Sequence, residues 1–145
     1  MDYRKIAKDD LRRYNALKMG IEHNKTHISM LEDNATSIKT GMSDATPVMG
    51  GTSRAEDKLI HNIALRERLT LNNLAVEKLV GMIDDALTVL NDVERLVLTR
   101  MYINQEKRAV DRLCEELAYE KSRIYQIKDQ ALQKFTVAMY AIESL

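Results

Sequence analysis

Lys121, Ser122, Arg123, Tyr125, Gln126 and Lys128 crowd into eight residues, and Lys134 follows shortly after. Arg and Lys can donate to guanine O6 and N7, Gln can pair with adenine, and all of these groups can anchor phosphates. Between 121 and 134 there are four basic residues against Asp129 as the single acid. Ile124, Ile127, Leu132 and Phe135 are interleaved with them at helical spacing, which predicts a helix with one face on a core and one outside. Composition alone favours a solvated amphipathic helix, so the rest of the chain must decide between that and a DNA reader.

Other chemistry finds less support. Adjacent carboxylates occur at Asp9/Asp10, Asp84/Asp85 and Glu115/Glu116. Neighbours on a helix point about 100° apart, so none of these pairs can flank one substrate atom as acid and base. Glycine-rich phosphate loops, nucleophile elbows and Cys-x-x-Cys pairs are missing from the sequence. His23 and His27 stand four apart, but His61 is the only other histidine and no Glu follows His23 directly. Neither catalysis nor a metal or other cofactor is expected. Cys114 is the single cysteine, which forbids an intramolecular disulfide and fits a reducing compartment. Its spacing from Val110 and Leu117 predicts a small core residue.

The elements that must position the polar set follow from composition and periodicity. The chain has 145 residues, 30% charged and 45% hydrophobic, with one proline and no tryptophan. Richness in helix formers and poverty in turn formers predict an all-α fold. Lys+Arg and Asp+Glu are both 22, so any attraction to nucleic acid must rest on local asymmetry. The N-terminus lacks a signal-peptide apolar run and no stretch approaches a membrane span, so the expectation is a cytoplasmic protein with no membrane partner.

Tyr14, Leu17, Ile21, Asn24, Ile28, Leu31, Ala35 and Ile38 recur in steps of three and four, a heptad seam on a helix covering most of 2–38. Asn24 within it either fixes register or faces water at a loose point. The segment 40–53 holds the only proline and three of the five glycines and reads as a loop, more a linker than a contact element. Ser53 with Glu56 predicts a capping box opening a second helix. Its seam runs through Leu59, Asn62, Arg66, Leu69 and Asn73, then more cleanly through Val76, Val80, Ile83, Leu87 and Leu90. Two helices of about 35 residues, roughly 50 Å each, bury their stripes most economically as a long antiparallel, coiled-coil-like hairpin over 1–89. The polar seam positions leave room for a further partner, which points to a homo-oligomer. A second cap, Asn91 with Glu94, starts a new helix carrying Val93, Leu96, Val97 and Met101. After the polar break "INQEKR" come a short helix near 108–117, a tight connection at "AYEK" and a final helix over 121–142. The domain 90–145 therefore has helix-turn-helix order, whose second helix enters the major groove.

The segment "LNDVERLVLTRMYIN…AVDRLCEELAYEKSRIYQIKDQALQKF" resembles the promoter-reading region four of sigma-seventy-type factors. Leu90, Glu94, Arg95, Val97 and Leu98 match that family's first block, and Arg123, Ile124, Gln126, Ile127, Ala131, Leu132, Lys134 and Phe135 match its last. Over nearly its whole length the chain is similar to sigma-like late transcription regulators of the ArpU and RinA type, from phages and prophages of Gram-positive hosts. The resemblance implies that Lys121, Ser122, Arg123, Tyr125, Gln126 and Lys128 face DNA, that Lys134 makes a backbone contact, and that Ile124, Ile127, Ala131 and Leu132 pack inward. Tyr125 and Glu120 depart from positions often basic in sigma factors, so the site read need not be a standard promoter element.

A self-sufficient sigma factor is not expected, because upstream of this unit only Tyr3 and Tyr14 could capture an unstacked base. The expectation is a DNA-binding regulator of late phage genes, bound to double-stranded DNA and acting with host RNA polymerase. The alternatives are a small terminase subunit that recognises DNA for packaging, and a coiled-coil adaptor that binds no DNA.

Overall fold

A computed structural model describes residues 1–43 and 54–142. Among them the chain is all-α: α1 Tyr3–Ser43, α2 Arg54–Leu87, α3 Asp92–Leu98, a π-helical segment Thr99–Ile103, α4 Ala109–Leu117 and α5 Lys121–Tyr140. No described helix is long and apolar enough to cross a membrane. The expected loop starts later than residue 40, because residues 40–43 extend α1. The Thr40 hydroxyl bonds back to the Thr36 carbonyl at 2.9 Å, so it supports the helix instead of ending it. The remainder of that loop, and the Ser53 half of the expected Ser53–Glu56 cap, lie outside the described residues.

Contacts divide the chain into two compact units, Met19–Glu77 and a larger one joining Met1–Lys18 to Lys78–Leu145. Residues 89 and 90 both lie in the larger unit. The cause is burial: the C-terminal helices hide their apolar faces against the first turns of α1 and the last turns of α2.

In the unit Met19–Glu77 the two helices pair antiparallel along the expected seam. Ile21 and Ala35 are buried, while Ile28, Leu31, Leu69 and Val76 are half-buried. Its polar positions are filled from within. Asn24 Nδ2 donates to Asn73 Oδ1 at 2.8 Å, and Asn73 Nδ2 donates to the Ile21 carbonyl at 3.0 Å. Asn62 Nδ2 donates to the Leu31 carbonyl at 2.8 Å, and Arg66 Nε donates to Asn62 Oδ1 at 2.8 Å. A buried amide costs free energy unless it is bonded, so these pairs satisfy the helices and fix their register. The polar seam positions thus offer no vacancy to a second chain, and Asn24 is a register residue, not a loose point.

The larger unit has two apolar clusters. One gathers Ala7 and Leu11 of α1, Ile83 and Ala86 of α2, Leu90, Leu98, Tyr102, and Ala131, Leu132, Phe135 and Met139 of α5. The other is Val97, Leu113, Ile124 and Ile127, with half-buried Cys114, Val110 and Leu117 packed against it, so Cys114 borders the core instead of lying within it. Two of the adjacent carboxylate pairs serve this packing. Buried Asp10 accepts from the Tyr140 hydroxyl and from Arg13, and Asp84 accepts from the Tyr14 hydroxyl.

The capping box at the head of α3 forms as expected: Asn91 Oδ1 accepts from the Glu94 amide at 2.8 Å, and Glu94 Oε1 accepts from the Asn91 amide at 3.1 Å. Arg95 reaches back to the carbonyls of Leu87 and Leu90 at 3.2 and 2.9 Å, tying α3 to the turn that follows α2. Where a continuous α-helix was expected through Met101, the backbone widens into the π segment, closed by the Asn104 amide on the Thr99 carbonyl at 2.7 Å. The wider turn puts Tyr102 into the first cluster while Met101 touches both. Arg100 then ties the segment to α4 through a two-pronged bond to Glu116, 2.8 Å on each prong.

The connection from α4 to α5 turns on Ala118, whose φ of 55° and ψ of 38° lie in the left-handed region. That conformation costs an L-residue about 1–2 kcal/mol, partly offset in an Ala-to-Gly exchange by the greater freedom of the unfolded chain. Ala118→Gly is therefore expected to stabilise the fold by about 0.5–1 kcal/mol. Urea unfolding reads this directly, and a loss of stability would show that Ala118 carries no strain.

Candidate nucleic-acid interface

Helix α5 is held by its inner face. Ile124, Ile127, Ala131, Leu132 and Phe135 are all at most 4% exposed, and α3 and α4 pack on its first half through Val97 and Leu113. Every residue the resemblance places in the core is in the core. The outer face then follows from 3.6 residues per turn. Lys121, Ser122, Arg123, Tyr125 and Gln126 are exposed on its first two turns.

Within this group Arg123 Nη1 donates to Gln126 Oε1 at 3.2 Å, so the guanidinium and the amide stand side by side at the surface. Lys128 is less free: its ammonium lies 3.2 Å from Asp129 and 5.4 Å from the centre of the Tyr125 ring, and its side chain is only 19% exposed. Lys121 pairs at 3.6 Å with Asp111 on α4, across the turn. The Lys121–Asp111 pair is exposed on both sides and contributes little to stability, so Lys121 can exchange its carboxylate for a phosphate at small cost. The cap residue Glu120 gives the first turn of α5 no side-chain hydrogen bond, which leaves backbone amides of the kind that meet phosphate oxygens.

Lys134 stands apart from the other six. Its ammonium sits 3.1 and 2.9 Å from the two carboxylate oxygens of Glu94. Glu94 is 4% exposed and holds the cap of α3 at the same time. Burial pushes the Glu94 carboxyl up, but the hydrogen bonds from Lys134 and the Asn91 amide, with the lysine's charge, outweigh it and hold the group below its ordinary range. This lysine first serves as the counter-ion that fastens α5 to α3.

Two residues missed by the sequence reading belong to the same outer face. Gln130 and Gln133 are exposed on α5, four and seven residues beyond Gln126, and that spacing alone could have found them. With Asn91, Asp92, Val93, Glu94, Tyr119, Arg123, Ile127 and Lys134, Gln130 lines a shallow groove of about 410 Å³ between α3 and α5. Asp129 is exposed amid these amides, an acid that would repel a phosphate unless Lys128 keeps it paired.

His23 and His27, the one pair considered as metal ligands, are both exposed, and among the described residues no three His, Cys, Asp or Glu side chains cluster as a metal site requires. Glu116, from the third adjacent carboxylate pair, is held below its ordinary range by the hydrogen bond from Arg100. Compared with family models, curated proteins and solved structures, the chain matches none.

Proposed function

We propose that this chain is a sequence-specific DNA-binding regulator of late phage transcription, acting beside a host RNA polymerase, with α5 as its reading helix. The observation that carries the proposal is the outer face of α5. A guanidinium and a primary amide stand paired there at 3.2 Å, flanked by Ser122, Tyr125 and Lys121, on a helix braced by α3 and α4. Arg and Gln are the side chains that make two-pronged contacts with guanine and adenine in the major groove. The short helix, tight turn and longer helix have the order of a helix-turn-helix, and the resemblance to sigma region four gives that order its most specific reading. The two upstream tyrosines are engaged in packing, Tyr3 against the Tyr140 ring and Tyr14 through its hydroxyl on Asp84, so recruitment of polymerase that already carries a sigma factor is the mechanism that fits.

The test is selection of bound sequences from a random DNA pool, followed by titration of the selected site. Arg123→Ala and Gln126→Ala are each expected to cost about 1–3 kcal/mol of specific affinity and to relax preference at one or two base positions. Unchanged affinity and preference in both variants would remove α5 from the interface. Specific binding near packaging genes with no effect on transcription would instead favour a DNA-packaging recognition subunit.

A further inference from the structure

Helix α2 has two apolar faces. One is the internal seam. The other points outward and carries Ile60, Ile63, Leu71, Leu74 and Met82, exposed by 59, 41, 67, 58 and 45%. At 100° per residue these five fall within one arc, on the side opposite Asn62, Leu69, Asn73, Val76 and Val80. Scattered exposed apolar residues are ordinary, but apolar residues aligned along one face of a helix mark an interaction surface.

The stripe's spacing and chemistry identify its occupant. Along the unbroken helix Arg54–Leu87, the stripe reads Ile63, Glu67, Leu71, Leu74, Lys78, Met82. The steps are four, four, three, four and four, the same in both directions. The types are apolar, acid, Leu, Leu, base, apolar. Glu67 and Lys78 are exposed, and neither makes an ion pair or hydrogen bond within the described residues. A parallel pairing of two such stripes sets acid on acid and base on base. An antiparallel pairing about a two-fold axis between residues 72 and 73 sets Leu71 on the partner's Leu74, Glu67 on the partner's Lys78, and Ile63 on the partner's Met82. It also sets Ala64 against the partner's Gly81, small on small, where two helices can approach closely. Alternation of the two heptad seam positions across the pair is the geometry of an antiparallel coiled coil, and a two-fold interface is self-complementary by construction.

We propose that a second copy of this chain covers the outer face of α2, as an antiparallel helix pair centred on Leu71 and Leu74 and closed by two Glu67–Lys78 ion pairs. This association does not depend on whether α5 reads DNA, and its test contains no DNA. The residues are solvent-facing in the single chain, so substitutions leave each chain's helices intact, and circular dichroism checks that they do.

Sedimentation equilibrium of the full chain is expected to show a dimer, and Leu71→Lys with Leu74→Lys to show monomer with unchanged helicity. Glu67→Lys alone and Lys78→Glu alone are each expected to weaken the dimer by about tenfold or more, by facing like charges across the seam. The double exchange E67K/K78E restores opposite charges in the antiparallel register and should return the dissociation constant to within a few-fold of the original. A monomeric parent chain, or a dimer indifferent to Leu71 and Leu74, would overturn the interface. A dimer lost with the leucines but indifferent to both single charge changes would overturn the antiparallel register.

Discussion

Replacing Phe135 by Ala is expected to lower the unfolding free energy of the larger unit by about 3–5 kcal/mol, the usual cost of emptying a buried aromatic site. Phe135 is fully buried and is the largest such side chain among the described residues. Its cluster draws on α1, α2, Leu98, Tyr102 and α5, so the void opens where five stretches of chain meet and none can move in without leaving another. Phe135→Leu keeps most of the volume and should lose no more than about 1.5 kcal/mol. Urea titration of both variants gives the comparison. A loss near 1 kcal/mol for the alanine would mean that the cluster collapses around the gap and that Phe135 is filler instead of keystone.

Glu94→Ala should cost about 2–3 kcal/mol, combining a lost helix cap of about 1 kcal/mol with a lost charge-assisted bond to Lys134. The lower end of the buried ion-pair range applies, since the Lys134 side chain is 54% exposed and its ammonium regains water once the carboxylate is gone. Glu94→Gln should lose less, because an amide still accepts from the Asn91 backbone. The pH dependence separates the two contributions. The folded chain holds the Glu94 carboxyl below its ordinary value, so its stabilisation is complete above the ordinary carboxylate range and fades as pH falls through the folded value. Stability measured from pH 7 down to pH 3 should therefore fall less steeply in Glu94→Gln than in the parent chain. Parallel curves would show that the carboxylate's charge contributes nothing.

The sequence made legible whatever local periodicity and cap chemistry determine. The seam from Tyr14 to Ile38, the Asn91–Glu94 cap and the inward face of α5 all follow from spacings within a few residues of one another. Contacts remote in sequence were not legible. Nothing in the order of residues near Ala7 or Leu11 says that they pack with Phe135, which is why the division between units falls inside α1 and α2. Asn62 and Asn73 looked like openings for a partner because a sequence shows a polar residue in a seam but not the carbonyl it donates to. The weak early seam of α2 had a different cause. Its second apolar stripe, on the opposite side, dilutes the period of the first. Lys134 shows the same limit at the candidate site, since its bond to Glu94 spans 40 residues.

The π-helical segment Thr99–Ile103 has a genetic implication. A π turn accommodates one residue more than an α turn requires, so its length differs by one codon from that of a regular helix over the same path. Excising one codon from this stretch would leave a continuous helix that backbone geometry permits, yet every side chain after the cut would rotate by about 100°. Tyr102 would leave its cluster and Arg100 would lose its grip on Glu116. Relatives of this chain that lack the extra residue should therefore carry compensating changes at those two contacts, and chains that keep it should tolerate length changes in the neighbouring 104–108 connection far better than within the turn itself.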